Sequence, residues 1–316
     1  MRYLRQAISK STTMIISEVA KLSPLNRFLY WMRERHNIYL KRRAGAPKPW
    51  TDDEVLRSFF FTHPYRELDK VTVWFKENIR EPLRDRPEVL FATICFRWFN
   101  LPETGNILAE LPWTEHQGNL LLHWDPEEAL SRLREVRDVR KGQVFTGAFM
   151  INSPPGRPKL EAIVERINNV WDNREALKMM WEGRGSYSMQ DVHKALTQYD
   201  GLGGFMAYEI VCDLRYTAML EEAPDKMTWC NVGPGARRGL YRVLGVPFEK
   251  GNNSTSPPPL PNEMDEMRKL LAIAQKRLRG MPSLEMREIE HSLCEADKYC
   301  RSLEGDGKLK RTYRGV

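Results

Sequence analysis

Residues 199–242, YDGLGGFMAYEIVCDLRYTAMLEEAPDKMTWCNVGPGARRGLYR, decide how the chain folds, because they hold two glycine turns that each feed a helix N-terminus. A helix start leaves its first N–H groups without intrahelical partners and so offers them to an anion. In the first turn, Gly201-Leu202-Gly203-Gly204 opens an apolar segment from Phe205 to Leu214. That order has the form of a helix-hairpin-helix, whose backbone amides grip a DNA phosphate. In the second turn, Gly233-Pro234-Gly235 precedes Ala236-Arg237-Arg238, so two guanidiniums and a helix dipole are expected to converge on a phosphate or pyrophosphate. The same residues also fit a tight loop carrying solvated arginines.

Working outward, the flanking segments read as helices. Residues 24–43, PLNRFLYWMRERHNIYLKRR, place Phe28, Trp31, Met32, Ile38 and Tyr39 at helical intervals, with Arg33, Arg35, Lys41, Arg42 and Arg43 between them. Thr51-Asp52-Asp53-Glu54 reads as a capping box that opens the next helix. Leu68, Val71, Phe75 and Ile79 then make an apolar stripe, beside which Arg66 and Asp69 share a face. The segment EVLFATICFRWFN at 88–100 is apolar nearly all round and must be buried, yet Arg97 sits inside it and Asn100 at its end. A buried guanidinium needs a counter-charge, so Arg97 is expected either to pair internally, with Asp69 as a named partner, or to bind an anionic substrate. Residues 125–141 predict an exposed helix, whereas 143–151 fit a short strand or a buried helix equally well.

Further helices are predicted from about Lys159 to Met180 and from Ser188 into the glycine turn, and again over 263–279 and 284–300. In the last of these, Met286, Ile289, Leu293, Ala296 and Cys300 form one stripe, with His291, Glu295 and Lys298 as a polar cluster beside it. With strands scarce, the predicted class is mainly α. The expected organisation is a basic helical region at 1–48, a helical core at 49–250, a proline-rich linker at 251–262, C-terminal helices at 263–302 packing back on the core, and a basic tail at 303–316.

Composition narrows the partners. Lys and Arg number 49 against 42 Asp and Glu, a net charge of +7, and nine tryptophans and eleven tyrosines favour nucleic acid over a membrane. The five cysteines form no CxxC pair and are odd in number, which fits free thiols in a reducing compartment. His291, Cys294 and Cys300 lie near one another on a helical pattern but do not make a zinc motif, and no metal or other cofactor is expected. No run of eighteen apolar residues exists, so a cytoplasmic protein without a membrane span is expected. There is no GxxxxGK[ST] loop, no GxGxxG after a strand, no GxSxG and no HExxH, which argues against a P-loop kinase.

Six stretches in order resemble one family: PWTDDEVLRSFFFTHPYRELDKV, FRWFN at 96–100, VFTGAF at 144–149, GLGGFMAYEIVCDLRYT at 201–217, NVGPGARRGL at 231–240 and EHSLCEADKY at 290–299. The family is the helical domain associated with phage 5-hydroxymethyldeoxyuridine DNA kinases, also described as the alpha-glutamyl/putrescinyl thymine pyrophosphorylase clade. The resemblance implies a glycosylase-like helix-hairpin-helix fold. It also implies DNA hypermodification, in which pyrophosphate on a hydroxymethyluracil is replaced by the amine of an amino acid or polyamine. Double-stranded DNA, an amine and a 5-hydroxymethyluracil DNA kinase are the partners it implies. The glycosylase superfamily carries an aspartate after its hairpin, but Asp213 and Asp225 here lack the usual valine-aspartate setting, which argues against base excision.

On that reading Gly201, Gly203 and Gly204 hold the DNA strand while the nucleotide flips out. Arg237 and Arg238, with the amides after Gly233 and Gly235 and with Asn231 nearby, neutralise pyrophosphate. Arg66 and Arg97, with Asn100 and Lys298, bind substrate, and Asp69, Asp213 or Glu295 takes the proton of the attacking amine. A non-catalytic DNA-presenting partner of the kinase and a glycosylase are the two other functions the residues allow.

Overall fold

In the computed structural model the described residues are 16–109, 119–147, 153, 155–247 and 256–305. The basic tail from 306, the first half of GNNSTSPPPLP (251–255) and the end of the 143–151 segment lie outside them. Among the described residues the chain is mainly helical and contains no strand. Residues 143–147, where the sequence left strand and helix open, form neither. No helix among the described residues is long and apolar enough to cross a membrane.

The chain divides into two compact units, one of residues 1–69 with 227–316 and one of residues 70–226. The first unit begins with α1 (Ile16–Val19), α2 (Pro24–Arg43) and α3 (Glu54–Ser58). The second contains α4 (Lys70–Phe75), α5 (Glu81–Leu83), α6 (Glu88–Phe99), α7 (Pro102–Ala109), α8 (Pro126–Arg134), α9 (Lys159–Asp172), α10 (Arg174–Glu182), α11 (Met189–Leu196) and α12 (Gly204–Leu214). The chain then completes the first unit with α13 (Pro234–Leu244), α14 (Glu263–Arg277) and α15 (Met286–Leu303). Both breakpoints fall within the 49–250 segment, so that segment is shared between the units.

Local chemistry sets the helix ends. Ser23 accepts the Asn26 N–H and Pro24 occupies the first turn of α2, where its missing donor costs nothing. At α3 the cap is Asp53, which accepts the Leu56 N–H at 3.0 Å, while Thr51 accepts the Asp53 N–H at 3.1 Å. The reciprocal capping box expected from Thr51-Asp52-Asp53-Glu54 does not form; the single cap is Asp53, two residues along from Thr51. Ser188 and Asp191 do form a reciprocal box at α11. The helix predicted over 159–180 breaks at Asn173 into α9 and α10.

In the first unit α15 packs on α2, α13 and α14, with Ile289, Leu293 and Tyr299 fully buried alongside Trp31 and Met32 of α2. Tyr299 and Tyr30 both donate to Asp53 Oδ2, at 2.5 and 3.2 Å, so one buried carboxylate caps α3 and ties it to α2 and α15. Two glycines let α13 approach α15. A Cβ on Gly239 would lie 2.3 Å from the Leu293 carbonyl oxygen, and one on Gly235 would lie 2.4 Å from Cys294 Sγ. In the second unit α6 is buried on every side and packs against α12.

A buried histidine pair also belongs to the first unit. His36 Nδ1 lies 3.2 Å from His63 Nε2, and the rings of Tyr39 and Tyr65 close over them. Burial holds the imidazoles neutral, pushing His36 down to about 4 and His63 to about 2, with Arg35 adding to both shifts. Folded-state values below the ordinary 6.5 mean that the unfolded chain takes up protons first. The stability is therefore complete above pH 6.5 and is lost as the pH falls towards 4, at roughly 1.4 kcal/mol per imidazole per pH unit. Thermal melts are expected to show a clear drop between pH 7.5 and pH 5, and His36→Phe is expected to flatten it. Equal melting temperatures at the two pH values would rule the pair out as the cause.

Candidate functional site

The polar flank of α15 beside the apolar stripe is buried: Glu290, Glu295 and Asp297 are 8%, 5% and 2% exposed. Against it lies the loop Phe61–Asp69, which its backbone hydrogen bonds hold in place. The Thr62 N–H donates to Glu295 Oε2 at 3.1 Å, and Thr62 Oγ1 contacts His291 Nε2 at 2.9 Å. The next residue continues the arrangement, since the His63 N–H donates to Asp69 Oδ1 at 3.3 Å. Two consecutive amides thus orient the carboxylates of Asp69 and Glu295, with the His36–His63 pair fixing the loop from behind.

The electrostatics follow from this packing. Burial pushes the Asp69 carboxyl up to about 6, with Arg66 and the His63 amide opposing the rise and Glu295 adding to it. Burial likewise raises Glu290, although Arg287, the Gly233 amide and Arg66 all favour its charged form. His291 is held well below its ordinary value by burial and by the cations Arg287, Arg66 and Lys298. Arg66 is thus felt by Asp69, Glu290 and His291 alike, which places its charge among them. Glu295 also pairs with Lys298, three residues along α15. The result is a half-buried cluster of three carboxyls, three cations and one neutral imidazole, in which burial raises the Asp69 carboxyl to about 6 and raises Glu290 as well.

The start of α13 does not present two free guanidiniums. Arg237 makes a two-pronged pair with Glu263 at 2.6 and 3.0 Å, and Arg238 reaches Asp297 at 3.1 Å. The Gly233 N–H points at Glu290 Oε1, 3.4 Å away, so a carboxylate of the chain already faces that helix dipole. Gly235 serves the close approach to Cys294, and Asn231 is half-buried just before the cap. The sequence shows glycines and arginines but not that acidic residues elsewhere in the chain arrive opposite them.

In the second unit Arg97 finds a different partner from the one expected. Its guanidinium meets both oxygens of Asp213 on α12, Nε at 2.5 Å and the other nitrogen at 2.7 Å. A further nitrogen donates to Asn100 Oδ1 at 2.5 Å, and the group stacks on Phe75. Both charges are essentially inaccessible, at 0% and 2% exposure. Arg97 is therefore half of an internal ion pair with Asp213, not with Asp69, which belongs to the other unit. Asp213, with both oxygens committed to a guanidinium, is poorly suited to take a proton.

The glycine turn joins α11 to α12. Gly201 has φ +77, and a Cβ there would meet Trp98 at 2.5 Å, so no other residue fits. Gly203 caps α12 with open space around its Cα, and the Gly204 carbonyl accepts from His193 Nε2 at 2.9 Å. Phe205 beside it is 55% exposed.

Residues 23–308 match the family described as 5-hmdU DNA kinase, helical domain. The chain belongs to that family. Consistent with this, a 5-hmdU DNA kinase of Bacillus phage SP10 is 29% identical over 294 residues, which cover 84% of this chain and 43% of the phage protein. The chain spans less than half the length of that relative. No solved structure matches. The stretch matched to the helical-domain family includes both the α15 cluster and the glycine turn. Sequence reasoning singled out Asp69, Glu295, Arg66 and Lys298 but missed Glu290, Arg287, Thr62 and His63. The spacing Arg287-His291-Glu295-Lys298, in steps of four, four and three, with Glu290 three residues from Arg287, was the available sign of a single polar helix face.

Proposed function

We propose that the chain modifies pyrimidines of phage DNA by exchanging pyrophosphate on a 5-pyrophosphoryloxymethyluracil for the amine of an amino acid or polyamine. The observation that carries this reading is the Asp69 carboxyl, raised to about 6 and held by the loop 61–69 next to Arg66 and Glu295. Membership of the 5-hmdU DNA kinase helical-domain family supports the choice of DNA as substrate. In the reaction, the amine nitrogen bonds to the exocyclic methylene carbon, the carbon–oxygen bond breaks, and pyrophosphate leaves with the electron pair. The proton lost by nitrogen passes to Asp69. Arg66 and Lys298, which share the cluster with Asp69 and Glu295, stabilise the departing anion.

The fold that goes with this reading is a glycosylase-like helix-hairpin-helix, with α11, the turn at 201–204 and α12 as the hairpin. The amides of Gly203 and Gly204 take one phosphate while the target nucleotide is flipped out. A second reading, in which the chain presents DNA to a kinase without doing chemistry, is favoured by the match to 43% of a longer phage kinase. One experiment separates the two. DNA carrying 5-pyrophosphoryloxymethyluracil is incubated with the protein and candidate amines, digested and analysed by mass spectrometry. An amine-bearing thymidine supports the transferase. No adduct with any amine, together with faster ATP-dependent phosphorylation of 5-hydroxymethyluracil DNA by a 5-hmdU DNA kinase when this chain is added, supports the presenting role.

A further inference from the structure

The net positive charge of the chain is not shared between its units. Residues 70–226 carry 20 Lys and Arg against 24 Asp and Glu, a net of −4, whereas residues 1–69 with 227–316 carry 29 against 18, a net of +11. The glycine turn expected to grip DNA therefore lies in the acidic unit. A polyanion is attracted by the summed field of many phosphate contacts, not by two amides. The main electrostatic footprint should accordingly be sought in the first unit.

Within that unit the basic residues differ in what they face. Elsewhere, Arg84, Arg132, Arg237, Arg242 and Arg301 each reach a carboxylate. At the C-terminal end of α2 and in the turn after it, Lys41, Arg42, Arg43 and Lys48 have no carboxylate within 4.0 Å among the described residues. Arg42, Arg43 and Lys48 are exposed. The aromatic residues between them brace the group. Arg43 lies over the Tyr39 ring at 5.9 Å and Lys48 over Trp50 at 5.3 Å. Trp50 Nε1 donates to the Ala46 carbonyl at 2.7 Å, and Lys41 Nζ donates to the Trp50 carbonyl at 2.8 Å. Cations at a helix C-terminus do offset its dipole. That accounts for none of the placement of Lys48, which lies beyond the helix on a tryptophan anchored at both its ring and its backbone.

We propose that the end of α2 and the 44–50 turn form the DNA-docking surface of this chain, with Arg42, Arg43 and Lys48 on successive backbone phosphates. The inference deepens the proposed function, resting on its choice of DNA as substrate, and it concerns sequence-independent backbone contact. A duplex is the occupant because uncompensated, stacked cations on a rigid turn match a regular array of phosphates.

The test is fluorescence anisotropy with a labelled, unmodified 20-base-pair duplex at a series of KCl concentrations. The triple variant Arg42→Gln/Arg43→Gln/Lys48→Gln is compared with Lys21→Gln/Lys276→Gln/Arg279→Gln, which removes the same charge from exposed positions of the same unit. The first triple is expected to lose affinity on the order of tenfold or more, with the slope of log K against log salt shallower by about two to three. The second should stay within about twofold of wild type, and melting temperatures should confirm that all three proteins fold. Equal losses in the two triples would reduce the effect to net charge and overturn the surface. So would wild-type binding by the first triple, or a loss confined to phosphatidylserine vesicles. Because the probe is unmodified DNA, the result is independent of chemistry: absent adducts sink the transferase alone, and unchanged binding sinks the surface alone.

Discussion

Arg97→Ala is expected to cost the unit of residues 70–226 about 3–5 kcal/mol, because it strands the buried Asp213 carboxylate, 2% exposed, without its counter-charge. It also empties the space beside Phe75 on which the guanidinium stacks. Urea unfolding followed by a tryptophan signal reads the effect, since Trp98 adjoins Arg97 on α6. The double variant Arg97→Met/Asp213→Leu is expected to recover much of the loss, because two apolar side chains need neither hydrogen bonds nor a counter-charge there. If Arg97→Ala shifts the midpoint by less than about 1 kcal/mol, the pair behaves as an exposed one and the buried arrangement is wrong.

Asp69→Asn is expected to lower transfer to the amine by 10²–10⁴-fold, the range about which loss of a positioned proton acceptor costs. Binding of DNA should be unaffected, as the side chain lies in the α15 cluster and not on the α2 turn. The pH dependence has a definite sign. Asp69 accepts a proton only when ionised, so the wild-type rate rises through about pH 6 and the asparagine variant lacks that limb. Stability runs the other way. A folded value above the ordinary 3.8 means that the charged carboxylate is tolerated at a cost, present once the pH exceeds 6. At pH 8 the variant should therefore melt no lower than wild type. A variant that melts lower and keeps its pH–rate profile would make Asp69 a structural residue.

The glycine turn and α15 show how much the sequence carries by itself. Helix signals are local: the helix over 24–43, the start at Ser188 and the stripe Met286-Ile289-Leu293-Ala296-Cys300 rest on spacings of a few residues, and each is realised where it was read. Gly201 adopts positive φ in a turn that no side chain could share. Local signals fail where a distant residue competes. Asp53 took the α3 cap while also receiving Tyr299, 246 positions away.

Pairing of charges is the clearest case of such competition. Composition and spacing establish that Arg97 must have a counter-ion, that Arg237 and Arg238 sit on one helix start, and that Glu295 adjoins Lys298. The identity of each counter-ion depends on which helices pack together, and helix packing follows from shape: glycines 235 and 239 admit α15 close to α13, and α6 is apolar enough to be enclosed against α12. The sequence alone thus determined a mainly helical, basic chain with its acids and arginines on identifiable faces. Only the tertiary structure decided that Asp213 neutralises Arg97, that Glu263 and Asp297 occupy the arginines of the second turn, and that Asp69 remains poised beside Arg66. Coulomb attraction acts through space, and sequence separations of 26, 59 and 116 residues hide it from any local pattern.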